Sequence, residues 1–121
     1  MIELFKEEEL EKSGLSREVL LQKFREQLLR DFEMCNVHSY LQPFSELTYP
    51  LIHANLSQAI EKIISAGSSF YQQLLYRIDI SEKQLAEGLH ENMGVKENEV
   101  VASLIIKRIL QKVILKVIYS K

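Results

Sequence analysis

Three groups of residues in the sequence carry side chains that could do chemistry. Glu87 and His90 stand in Glu87-Gly88-Leu89-His90, a spacing that puts a carboxylate and an imidazole on one helix face, as carboxylate-bridged di-metal bundles require. Such a centre needs a second copy of the motif, and the chain offers only isolated candidates in Glu46, Glu61 and His53. The pair therefore reads as solvated, and no metal is expected. Cys35 with His38 one turn later could be drawn as a thiol and its base. Cys35 also continues an apolar stripe, which marks a buried, inert thiol instead.

His38, Tyr40, Tyr49 and His53 form the third group, around a loop bracketed by Pro43 and Pro50. Loops held on helical scaffolds collect binding groups, so a small-ligand or metal-binding protein, or an enzyme, using residues 36–53 is the alternative reading. The plainer one is that the tyrosines pack with their hydroxyls at the surface and the histidines are exposed. There is no glycine-rich phosphate loop, paired-cysteine metal motif or nucleophile in a recognisable turn. No catalytic residue and no cofactor is assigned, and a non-enzymatic role is favoured.

The elements that position these groups are helices. Only four Gly and two Pro argue against a turn-rich β sandwich or barrel. Residues 2–12 suit a short helix or peripheral arm ending at Ser13-Gly14. Ser16 caps the next helix, with Leu15 placed to staple onto Leu20. Leu20, Phe24, Leu28, Phe32 and Cys35 share one face of it, and it ends near Asn36. Residues 36–50 read as a loop folded against the bundle, because Val37, Tyr40, Leu41, Phe44, Leu47 and Tyr49 are too much apolar surface to leave wet.

Pro50 suits the first turn of a third helix, striped by Ile52, Leu56, Ala59, Ile63 and Ala66 and widened by Ile60 and Ile64. A break is expected at Ser65-Ala66-Gly67-Ser68-Ser69, with Ser68 or Ser69 capping a helix that runs to Asp79. Ser81-Glu82-Lys83-Gln84 has the capping-box form, and Ile80 and Leu85 are spaced for the staple. That helix runs to about Asn92 and is closed by Gly94. The last begins at Asn98-Glu99 and places Ala102, Ile105, Ile106, Ile109, Leu110, Val113 and Val117 on one wide face at about 100° per residue. The fold class is thus all-α, a compact bundle of about four to six short helices in one domain over 1–121.

Hydrophobic residues at 46% and charged residues at 26% fit a globular chain. The single cysteine and a start without a basic, then long apolar stretch point to the cytoplasm. Lys107, Arg108, Lys112 and Lys116 interrupt the most apolar stretch, 100–119, each at roughly 2.5 to 3.5 kcal/mol mid-membrane, so no membrane span is expected. The segment 3–33 leans acidic, while the residues after Val100 include five basic and no acidic ones, so the two ends should attract each other. Cations spread along an apolar helix, at a pI near 5.9, make a poor phosphate track, and no nucleic acid is expected.

The last helix carries a second apolar ridge. Val100, Leu104, Leu115 and Ile118 project on the side of Lys107, Arg108 and Gln111. Either the N-terminal segment or the 36–50 loop covers it, or a second subunit does. A small domain gains core by dimerising, so these seven residues are the candidate interface of a homodimer. The function expected is a helical interaction or accessory module that self-associates through its C-terminal helix and engages a protein partner.

Overall fold

The computed structural model describes residues 4–119, which form six α-helices and no strand. They are α1 Glu7–Ser13, α2 Arg17–Met34, α3 Tyr49–Ala66, α4 Ser68–Ile78, α5 Glu82–Glu91 and α6 Glu97–Tyr119, with one 3₁₀ turn, His38–Tyr40, between α2 and α3. The longest, α6, is central and packs against each of the other five. Its face of Ala102, Ile105, Ile106, Ile109 and Val113 is buried with Leu20, Phe24, Leu28 and Phe32 of α2 and Ile52, Leu56, Ala59, Ile60 and Ile63 of α3.

The helix ends have identifiable causes. Ser16 Oγ accepts from the Val19 amide at 3.3 Å, satisfying one of the free donors of the first turn of α2. Ser81 and Gln84 form the reciprocal box: Ser81 Oγ accepts from the Gln84 amide at 3.1 Å, and Gln84 Oε1 accepts from the Ser81 amide at 2.9 Å. Gly14 closes α1 at φ 70. The break between α3 and α4 falls at Gly67, with φ 150 and ψ 144, a region essentially closed to side-chain-bearing residues. No serine caps α4 there, since Ser68 is already its first residue.

Two boundaries differ from the sequence reading because asparagine side chains have other work. Asn98 is no cap. It lies inside the first turn of α6, and its Nδ2 donates to the Ser57 carbonyl at 2.9 Å, tying α6 to α3. Asn92 rather than Gly94 closes α5, donating to the Gly88 carbonyl at 2.7 Å, while Gly94, at φ 92, shapes the turn beyond. The α3 stripe also ends at Ile63; Ile64 and Ala66 are exposed in its last turn.

The irregular segments are held down as their apolar content requires. Val37 is fully buried, and Tyr40, Leu41, Phe44 and Leu47 are half-buried against the core. Asn55 of α3 clasps the loop backbone, accepting from the Gln42 amide at 3.1 Å and donating to its carbonyl at 2.8 Å. Just before α1, Leu4 and Phe5 are buried against the core. Burying a phenylalanine contributes about 1.5–3 kcal/mol, enough to anchor a seven-residue helix. Ile2, at the predicted start of that helix, lies outside the described residues.

Candidate interaction surface

The seven ridge residues of α6 fall into two environments. Val100 is buried and Leu104 half-buried because α5 lies across them: a Cβ on Gly88 would meet Val100 Cγ1 at 3.3 Å and Leu104 Cδ1 at 3.4 Å. Glycine at 88 is what lets α5 approach so closely. The cover over this end therefore includes α5, and Val100, at 4% exposure, is not open to a partner. Beyond Gly88 the two helices leave a groove of about 290 Å³, lined by Glu87 and Glu91 on α5 and by Lys107, Arg108 and Gln111 on α6. Arg108 is pinned at its edge, donating to Asp79 at 2.9 Å and Gln111 at 3.3 Å.

Past Gln111 the ridge changes character. Leu115 is 47% exposed, Ile118 is half-buried and Tyr119 is 81% exposed. Lys107 and Gln111 are exposed at its start. An apolar centre with a polar, partly cationic border is the usual composition of an interface.

On another face of α6, Lys112 and Lys116 meet α2, Lys112 in an ion pair of the kind the charge asymmetry of the two ends implied. Asp31 is fully buried and is contacted by Lys112 at 2.9 Å, by Arg77 of α4 at 3.1 Å and by Gln27 Nε2 at 3.1 Å. Lys112 also donates to the Arg77 carbonyl at 3.1 Å. Lys116 donates to Gln27 Oε1, so side chains run continuously from Asp31 through Gln27 to Lys116. A buried carboxylate is tolerated only when paired and hydrogen-bonded, and here three helices supply the partners. Asp31 and Gln27 escaped the sequence reading. Their signal was present: both fall within the apolar stripe of α2, three or four residues from Phe24, Leu28 and Cys35, where a polar side chain must find a buried partner.

The other chemical groups are placed as follows. Glu87 lies beside Lys83 at 4.0 Å and His90 is exposed; among the described residues no group of three His, Cys, Asp or Glu side chains could hold a metal ion. Cys35 is buried, donates to the Gln73 carbonyl at 3.6 Å and points away from a role with the exposed His38. Burial pushes its thiol pKa up, outweighing the lowering effect of Arg77.

Tyr49 and His53 are absorbed by the fold. Their rings stack at 5.8 Å, and both reach Ser103 of α6, the tyrosine hydroxyl at 3.4 Å and His53 Nε2 at 3.1 Å. His53 Nε2 is also 2.9 Å from the Glu99 carbonyl, which can only accept, so this nitrogen is the donor. Ser103 in turn donates to that carbonyl at 3.3 Å. The serine and histidine thus clamp α3 to α6, and a donating Nε2 is no base for the hydroxyl.

No protein-family model matches the chain, and no curated protein or solved structure is significantly similar to it. No helix among the described residues is long and apolar enough to cross a membrane.

Proposed function

We propose that this chain is a non-enzymatic helical interaction module of the cytoplasm that forms a homodimer through the second half of α6 and presents the assembled pair to a protein partner. The observation that carries the reading is the open end of the α6 ridge. The cover given by α5 stops near Leu104, while Leu115, Ile118 and Tyr119 continue along the helix with apolar surface exposed. A two-fold contact of one helix on its copy buries such a ridge on both subunits at once.

Placement in the cytoplasm rests on the lone, buried cysteine. Tyr49 and His53 both hydrogen-bond Ser103 across α3 and α6, and this structural use of them favours the interaction reading over a ligand site beside the 36–53 loop.

Leu115→Lys and Ile118→Glu each put a charge on the ridge without touching the buried face of α6. Sedimentation velocity should show each variant dissociating at concentrations where the parent protein is dimeric, with the helical circular dichroism unchanged. An unaltered mass in both variants would rule out the second half of α6 as the interface.

A further inference from the structure

A different face of α6 borders a second opening. Residues 113, 116 and 117 are rotated away from 111, 115 and 118 at about 100° per residue, and with α2 they line a cleft of about 170 Å³. Its floor is apolar, formed by Val113 and Val117, and its rim carries Lys23, Arg30 and Lys116 against one carboxylate, Glu26. Lys23 and Arg30 are seven residues apart on α2 with Gln27 between them, so all three share a face. Glu26 accepts from Gln22 at 3.3 Å, which occupies part of the one carboxylate among the described residues that line the cleft.

The charge does not balance along this seam. Behind the cleft the one carboxylate of Asp31 already faces two cations, Arg77 and Lys112. With the rim included, five cations stand against two carboxylates among the described residues, in a chain whose formal net charge is −2. Lys116 is also held in place: Asp31 fixes Gln27, and Gln27 Oε1 takes one donor of the Lys116 ammonium. An ammonium has three donors, so a positioned cation with donors to spare stands over an apolar floor. Positioning before binding is what lets a small site hold a small ligand.

We infer that the cleft between α2 and α6 binds a small organic anion, with a carboxylate or phosphate head on Lys116, Arg30 and Lys23 and a short apolar body on Val113 and Val117. The self-association of the chain plays no part in this site. The test is a titration of the full chain with butyrate, and separately with butyl phosphate, at fixed ionic strength held with chloride, following backbone amide signals. Saturable shifts confined to residues 23–30 and 113–117 are expected, and the anion that saturates at the lower concentration identifies the head group.

The double variant Lys23→Gln/Arg30→Gln, both on the exposed side of α2, should weaken that saturation by at least about tenfold, the effect of losing a charge-assisted contact. Lys62→Gln removes an exposed cation from α3, away from the cleft, and should leave it unchanged. Shifts that rise linearly without saturating for both anions, or that are equal in the double variant and the parent, would overturn the assignment.

Discussion

At the scale of single residues, the organising feature is one buried carboxylate. Asp31 joins α2 to α4 and α6 through Arg77 and Lys112, and its two partners are not equivalent. Arg77 is 41% exposed and can turn to water, whereas Lys112 is 17% exposed. Lys112→Met should therefore destabilise the fold by about 1–3 kcal/mol, because it leaves a buried acceptor under-satisfied. Asp31→Leu should cost less than that, since Arg77 can turn to water and Lys112 keeps the Arg77 carbonyl as an acceptor. Urea denaturation of the two variants measures the order; the reverse order would mean that Arg77 and Gln27 alone satisfy the carboxylate.

Two other residues make stability depend on pH. Burial raises the Cys35 thiol above its ordinary 9.0, and burial, with the hydrogen bond from its hydroxyl to Glu97 second, raises Tyr71 above its ordinary 10.0. In both, the folded state keeps its proton after the unfolded chain has lost its own, so stability falls as pH rises above the unfolded values. The urea midpoint should drop from pH 8.5 towards 10.5, and Tyr71→Phe should flatten the part of that fall above about pH 10. A midpoint that is constant or rising across this window would contradict the placement of both groups.

At the scale of elements, the parts of the fold legible in the sequence are those set by local chemistry. The Ser16 cap, the Ser81–Gln84 box, Pro50 in the first turn of α3 and the apolar stripes of α2 and α6 each depend on residues within one or two turns of each other, and each is found where the spacing puts it. What was illegible depends on residues distant in the chain. Asn98 resembles a cap until Ser57 is brought beside it, and Tyr49 and His53 resemble a binding cluster until Ser103 arrives from α6. The cover of Val100 by α5 is of the same kind, since only the close approach at Gly88 reveals it.

Gly67 offers a test at this scale. An added Cβ there would meet nothing nearer than Phe70 at 3.8 Å, so the strain in Gly67→Ala is confined to the backbone. Holding alanine at φ 150 and ψ 144 costs on the order of 1–3 kcal/mol. The thermal midpoint should fall accordingly; an unchanged midpoint would mean that α3 and α4 can join through another backbone geometry.

At the scale of the whole molecule, one long helix serves three surfaces. One face of α6 is the core, a second closes on α2 through Lys112 and Lys116, and the third is shared between α5 and open apolar surface ending in Leu115 and Ile118. Among the described residues α6 packs against the five other helices, and Leu115 at its far end stays exposed. In the proposed dimer a second copy would cover that stretch with a surface already present, and without any change of fold. The most direct measurement is light scattering coupled to size-exclusion chromatography on the full chain over a wide concentration range. A mass of twice 14.1 kDa that declines towards the single value on dilution is expected, and a mass of 14.1 kDa at every concentration would contradict assembly through α6.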